Sequence, residues 1–271
     1  MKWLGFLIHA AVFLALTLLT QIGGLVYLLA WALTFNIRRF LPRQFWRVVL
    51  FLTLYVGALF AAREMAPVYG RVPLPCLEGE QREFRMQSPI YCLLNRNYVR
   101  PEVRSMILDL AIHMNREFPG TITLGLDANF PFFDGFPLFP HLSHDDGRKL
   151  DLAFYYRDDK GYLPGVSASP VGYWAFAAAP DHLLCPAQRP WHSPRWDMAW
   201  FQQYNRGLSV DLDRTKAALN WLLAAGEAHG LEKIFLEPSL QKKWGISGGV
   251  VRFQGCNAAR HDDHIHLQLG D

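Results

Sequence analysis

Histidine and aspartate are concentrated in two short segments, residues 141–151 and residues 261–266, which together hold five of the ten histidines. Imidazole and carboxylate groups are the usual ligands of catalytic zinc, which takes three from the protein and keeps a fourth position open. His144, Asp151 and His266 would supply two neutral imidazoles and one carboxylate, leaving the site a charge of about +1. This charge lowers the pKa of a bound water toward about 7. The two segments therefore predict a Zn2+ site suited to hydrolysis.

Local geometry decides which neighbours can take part. Gly147 permits the tight turn that brings His144 and Asp151 to one ion. The segment 264–269 alternates as a strand does, so residues 264 and 266 point to the same face. Asp263 would point to the other face, and it can act as a general base only if the strand begins at His264 or bulges there.

The two segments resemble the motifs of the LAS metallopeptidases, named for lysostaphin, the D-Ala-D-Ala peptidases and the sonic hedgehog amino domain. That family carries His-x6-Asp followed much later by His-x-His, here residues 144–151 and 264–266. The chain is most similar to the penicillin-insensitive murein endopeptidases. That likeness covers roughly residues 121–269 and rests on the lead-in at 141–144, the segment 232–238 after a helix, and the His-Asp-Asp-His-x-His ending at 261–266.

The resemblance implies a role for each matching residue. His144, Asp151 and His266 would be the zinc ligands, Asp263 the base, His264 the group that stabilises the intermediate, and His141 and His261 would orient ligands or substrate. The implied reaction is hydrolysis of an amide bond in peptidoglycan stem peptides or cross-links. A D,D-carboxypeptidase on the same substrates, another metal-dependent hydrolase, and a non-catalytic metal-holding wall-binding domain of a membrane complex are the alternatives. One difference is Asp145, where the murein endopeptidases usually have glutamine.

Apolar periodicity predicts the elements that would position these residues. Helices are expected over about 101–118 and 214–229, the second capped by Asp211 or Asp213, and strands over about 121–126, 150–156, 233–236 and 264–269. Helices and strands do not alternate regularly, so the fold class is α+β. The resemblance implies an LAS or hedgehog-type antiparallel sheet with flanking helices.

Residues 1–67 have the composition of a membrane anchor with two transmembrane helices. No Asp, Glu, Lys or Arg occurs from Leu4 to Phe35 or from Val48 to Ala62. The first run would be about 48 Å long as one helix, more than a hydrocarbon core of about 30 Å requires. We expect one long tilted helix rather than a fold-back at residues 21–24 that would cross the membrane twice. A cleaved signal peptide fits less well, because its apolar region is much shorter.

The loop at residues 36–47 contains four arginines and no acid, so the positive-inside rule makes it cytoplasmic. Residues 68–271 are then expected to form an extracytoplasmic domain, whether the first run crosses once or twice, and the resemblance implies that the membrane is the inner membrane of a bacterium. The whole chain carries +3, but residues 1–70 alone carry about +5. The external part is therefore slightly acidic, which gives no support for nucleic-acid binding.

All four cysteines, Cys76, Cys92, Cys185 and Cys256, fall in this external part. An even number in an oxidising compartment predicts two disulfides, and three pairings are possible. We favour Cys76–Cys92 and Cys185–Cys256. The sequence leaves open the oligomeric state, the protein partners and the bond cleaved.

Overall fold

The computed structural model describes residues 2–35, 42–77, 79, 81–177, 199–256 and 258–270. This part of the chain is mixed α+β, as expected. Its α-helices are α1 (Lys2–Thr20), α2 (Gly23–Leu33), α3 (Arg43–Met65), α4 (Pro89–Leu93), α5 (Pro101–Glu117), α6 (Leu212–Ala225) and α7 (Pro238–Trp244). Short 3-10 helices lie at Ala66–Tyr69, Ala199–Tyr204 and Gly226–His229.

The strands are β1 (Val72–Pro73), β2 (Phe84–Met86), β3 (Tyr98–Val99), β4 (Thr123–Gly125), β5 (Lys149–Ala153), β6 (Tyr156–Asp158), β7 (Gly161–Tyr162), β8 (Ser209–Val210), β9 (Leu231–Phe235), β10 (Val251–Arg252) and β11 (His264–Leu269). The main sheet has the order β10-β9-β11-β5-β4-β2. Its four central strands are antiparallel to one another, whereas β10 and β2 run parallel to their neighbours. Each parallel pair is joined by a connection containing helices, as parallel pairing requires.

Most of the predicted elements of the external part are confirmed within a few residues. Helix α5 buries Val103, Ile107, Leu110 and Met114 on one stripe, and α6 begins after Asp211, whose side chain accepts a hydrogen bond from the Arg214 N–H at 3.1 Å. The run at 150–156 divides into β5 and β6. Helix α7, which begins at Pro238, follows the predicted strand at 233–236 and lies outside the predicted helices. Proline suits the first turn of a helix, where its missing N–H is not needed.

The prediction of one long first helix is wrong. The run breaks at Gln21, whose φ of 67° lies in the left-handed region, and α2 folds back against α1. Thr20 Oγ1 accepts a hydrogen bond from the Gly23 N–H at 2.8 Å. A Cβ on Gly24 would lie 1.9 Å from Thr17 Oγ1 and 2.7 Å from the Phe13 carbonyl oxygen. Glycine therefore allows the close approach of the two helices, which a continuous helix would not need.

Two helices, within Trp3–Thr20 and Arg43–Tyr69, are long and apolar enough to cross a membrane. Length and composition also fit a signal sequence at the N-terminal position. Helix α2, with 11 residues, is only about 16 Å long and is too short to cross alone. The N-terminal region is thus a helical hairpin, α1 and α2, packed beside α3.

The disulfide Cys76–Cys92 is present, as predicted. It joins the segment after β1 to α4, across a sequence separation of 16 residues. Cys256 is also disulfide-bonded. The predicted pairing of Cys256 involves Cys185, which lies outside the described residues.

The hairpin makes a testable prediction about two glycines. We expect Gly24→Ala to destabilise the protein by about 1–3 kcal/mol, because the added methyl group meets the Phe13 backbone. Gly57→Ala is the matched control, since a Cβ there has nothing within 4 Å and alanine favours a helix by up to about 1 kcal/mol. Thermal unfolding in detergent compares them, and equal midpoints would contradict the tight packing.

Candidate metal centre

The pairing of β5 with β11 brings the predicted acid and the last predicted histidine together. In this antiparallel pair Asp151 lies opposite His266, and Ala153 lies opposite His264. Directly opposed residues project from the same face of a sheet at close range. As a result His266 Nδ1 lies 2.8 Å from Asp151 Oδ1. Two residues 115 positions apart in the sequence are therefore adjacent in the fold.

His144 reaches the same point from a turn that precedes β5. Gly147 has a φ of 83°, and its N–H donates to Asn129 Oδ1 at 3.0 Å. The turn expected at this glycine is therefore present. His144 Nδ1 lies 2.8 Å from the Ala128 carbonyl oxygen, to which it must donate. This bond fixes the tautomer and leaves the Nε2 lone pair directed at Asp151.

Three potential ligand atoms converge here. His144 Nε2 lies 3.2 Å from His266 Nδ1 and 3.4 Å from Asp151 Oδ1, and the remaining pair is 2.8 Å apart. Atoms bound to one zinc ion at about 2.0–2.1 Å in tetrahedral geometry are about 3.3 Å apart. All three side chains are buried. The donor set and its spacing fit a transition-metal ion.

The surrounding histidines enlarge the set of potential ligands. His261, His264 and His266 form one group of ligand atoms within 4.8 Å of one another, and His141, His144 and Asp151 form another. The predicted ligands draw on both groups. Buried histidine and aspartate groups in this arrangement could hold a metal ion, whose identity the geometry leaves open.

Charge at the site also favours a cation. Burial opposes ionisation of Asp151, but His144, His264 and His266 outweigh it and hold its pKa well below the usual range. For His144, burial acts to lower the pKa, but the charge of Asp151 has the larger effect. The pKa of His144 is therefore raised. The carboxylate thus remains charged and attracts positive charge. A divalent cation can supply that charge in place of protons.

The second carboxylate oxygen of Asp151 is held by residues around the centre. Tyr173 donates its hydroxyl to Asp151 Oδ2 at 2.6 Å, and His141 Nδ1 lies 3.1 Å from the same oxygen. His141 also lies 3.3 Å from Asp127 Oδ2. Asp127 in turn forms a two-bond ion pair with Arg96 at 2.5 and 2.6 Å. His141 Nδ1 therefore lies between the carboxylates of Asp151 and Asp127.

Tyr173, Asp127 and Arg96 were missed in the sequence. They belong to no motif, and their side chains meet only after the sheet has formed. The one available signal for Tyr173 was its place in a long irregular stretch rich in aromatic residues. Loops of that kind are often functional.

Asp263 and His264 form a pair at the edge of the centre. Strand β11 begins at His264, so the geometric condition set for Asp263 is met. Asp263 Oδ1 lies 2.5 Å from His264 Nδ1, and its Oδ2 accepts a hydrogen bond from the Trp174 N–H at 2.6 Å. His264 Nε2 lies 3.7 Å from Asp151 Oδ1 and thus faces the ligand atoms. Burial lowers the pKa of His264, but Asp151 and Asp263 outweigh it and raise the pKa to about 9.

His261 lies behind this pair. Its ring centroid is 4.9 Å from that of His264, and its backbone is held by Glu237, whose Oε1 accepts from the His261 N–H at 3.2 Å. Burial, together with His264 and His266, keeps its pKa well below the usual range. His261 is therefore neutral and packs against the other imidazoles.

These groups line a cavity of about 610 Å³. His144, Asp151, His264 and His266 form one part of its lining. Ile90, Leu94, Phe139 and Leu142 form an apolar part of the wall. A cavity that is mostly apolar with a few converging polar groups is typical of a site for a ligand of moderate size.

Searches against protein-family models and curated proteins found no match for this chain.

The site predicts how three variants bind zinc. His266→Ala should abolish stoichiometric binding, because it removes a ligand atom. Tyr173→Phe should weaken binding about 10- to 100-fold, since the Asp151 carboxylate loses an orienting hydrogen bond. His113→Ala is the control, a partly exposed histidine paired with Glu117. Elemental analysis and chelator competition on the purified chain measure both quantities.

Two outcomes would contradict this assignment. One zinc ion per chain retained in His266→Ala would exclude that side chain as a ligand. Unchanged affinity in Tyr173→Phe would show that Asp151 needs no support from the hydroxyl group.

Proposed function

We propose that the chain is a membrane-anchored zinc peptidase of the bacterial cell envelope, with an LAS-type domain that hydrolyses an amide bond in peptidoglycan stem peptides or cross-links. One observation carries the proposal. Ligand atoms of His144, Asp151 and His266 converge to within 3.4 Å of one another in the wall of a cavity. The motif resemblance and this convergence are independent, since sequence spacing does not fix distances across a sheet.

The three converging side chains are the proposed zinc ligands. Bound zinc would polarise the scissile carbonyl group and make water a better nucleophile at neutral pH. The protein holds the ligands rigid for this task. Asp151 is held by Tyr173, and His144 is held by the Ala128 carbonyl group.

Proton transfer is assigned to Asp263 and His264 acting as a pair. Both oxygens of Asp263 are engaged, one by His264 and one by the Trp174 N–H. The predicted base therefore reaches the site through His264, whose Nε2 faces the ligand atoms. His264 is positioned to donate a hydrogen bond where negative charge develops on the substrate oxygen. Asp263 accepts from His264 Nδ1 and stabilises the protonated imidazole, in which Nε2 also carries a proton.

We prefer endopeptidase activity on cross-linked peptides, with D,D-carboxypeptidase activity as the alternative, because the motifs match the murein endopeptidases more closely. Among the described residues that line the cavity, Arg96 is paired with Asp127 and Arg260 with Asp262.

The proposed location is the inner membrane, with residues 68–271 on the external side. Arg43 and Arg47 lie at the start of α3, the end remote from the globular domain, and Arg47 Nε approaches Thr34 Oγ1 at 3.4 Å. Arg43 and Arg47 therefore lie at the end of α3 opposite the proposed catalytic domain. That arrangement agrees with the positive-inside rule.

The proposal predicts the behaviour of the full-length chain in detergent with purified cross-linked muropeptides. We expect cleavage with about one zinc ion bound per chain. His266→Ala should lose both zinc and turnover. His264→Ala should retain zinc but lower kcat by about 10²–10⁴-fold, because it removes a proton-transfer group and keeps the ligands. Mass spectrometry of the products identifies the bond.

The control His113→Ala should match the wild type. If the products show release of a single terminal residue, the enzyme is a carboxypeptidase and the endopeptidase assignment is wrong. Zinc without cleavage would instead favour a binding role in a membrane complex, and a chain that binds no zinc would overturn the proposal.

A further inference from the structure

The globular domain lies beside the membrane helix α3 as well as beyond its end. The hydroxyl group of Tyr55 donates to the Leu93 carbonyl oxygen, the last residue of α4, at 2.7 Å. Tyr55 is the midpoint of the uncharged run from Val48 to Ala62. That run is about 21 Å long, less than the hydrocarbon thickness of about 30 Å. Leu93 therefore lies at a depth that lipid chains reach.

The hairpin of α1 and α2 also contacts the globular domain. The side-chain amide of Asn95 donates to the Thr20 carbonyl oxygen at 3.2 Å, and the Phe132 N–H donates to Gln21 Oε1 at 3.0 Å. Thr20 and Gln21 form the turn of the hairpin, at the apolar end of a membrane helix. These contacts pair the Thr20 carbonyl oxygen and the Gln21 side-chain oxygen with groups of the globular domain.

The surface of the domain near these contacts is apolar and exposed. Ile90 is 46% exposed and Leu93 is 54% exposed, and both belong to α4. Phe139 and Leu142 are 47% and 55% exposed. Arg96, which follows Asn95, donates to the Phe139 carbonyl oxygen at 2.8 Å and so ties that segment to the hairpin contacts.

Three of these four residues also line the cavity of the candidate metal centre. Ile90, Phe139 and Leu142 lie in its wall, together with His141, His144 and Asp151. An exposed apolar surface next to a membrane segment is expected to contact lipid. The cavity is thus connected to the bilayer surface by its own apolar wall.

We propose that this cavity takes its peptide from the membrane surface, and that its substrate is a peptide carried on a lipid anchor. The inference rests on the proposed peptidase function and specifies its substrate class. The apolar wall formed by Ile90, Phe139 and Leu142 contacts the lipid chains next to the anchor. The peptide then extends from the bilayer toward His144, Asp151 and His266.

The first test compares two forms of one stem-peptide dimer, N-acetylated and N-palmitoylated, with the full-length chain in phosphatidylethanolamine and phosphatidylglycerol vesicles. We expect kcat/KM for the palmitoylated form to be at least about tenfold higher, since the acyl chain holds the peptide at the bilayer. Ile90→Ser and Leu142→Ser should lower this ratio. Leu212→Ser is the control, because Leu212 is an exposed apolar residue outside the cavity lining. This variant should keep the wild-type ratio.

Equal kcat/KM for the two forms would overturn the lipid-linked substrate and leave the peptidase function intact. Absence of cleavage of both forms would overturn both proposals.

A second test needs no activity. Vesicles that contain a lipid with a photoreactive acyl chain should label the peptides that contain residues 90–93 and 139–142, and should leave residue 212 unlabelled. Labelling confined to α1, α2 and α3 would show that the cavity wall lies clear of the bilayer and would overturn the inference.

Discussion

The structure of the site depends on one buried carboxylate, that of Asp151. A carboxylate that is 1% exposed is stable only when positive charge and hydrogen bonds compensate for its lost hydration. Four histidines and a tyrosine hydroxyl group lie around it, and they come from three parts of the chain. His266 comes from the adjacent strand, His144 from the turn before β5, and Tyr173 from the loop after β7. The antiparallel register of β5 and β11 fixes where this convergence occurs.

The parts of this arrangement that could be predicted are those encoded locally. The bounds of β11 and of α5 follow from apolar periodicity, and the start of α6 follows from the capping aspartate. The candidate ligands could be found because two short segments of the sequence hold an unusually high proportion of histidine and aspartate. Their supports could not be found in the same way. Tyr173 and the pair of Arg96 with Asp127 are common residue types in unremarkable positions, and only the tertiary fold brings them to Asp151.

The error in the first membrane helix has a related cause. Hydropathy reports that a segment is apolar but says nothing about whether it continues or reverses. Gln21 adopts a left-handed conformation. The next glycines, Gly23 and Gly24, have no side chain, so α2 can pack closely on α1. The sequence did contain a signal for this reversal, namely a polar residue followed by glycines within a long apolar run. The reversal places Thr20 and Gln21 against the globular domain, which a single long helix would not do.

That contact links the helical hairpin to the candidate metal centre. Asn95 binds the hairpin turn, and its neighbour Arg96 is paired with Asp127. Asp127 lies within 3.3 Å of His141, which lies 3.1 Å from Asp151. Because buried polar networks polarise and rigidify their members, the position of Asp151 depends on contacts that begin at the hairpin turn. The hairpin therefore belongs to the architecture of the site, since the segment that meets it also supplies a wall of the cavity and supports the carboxylate.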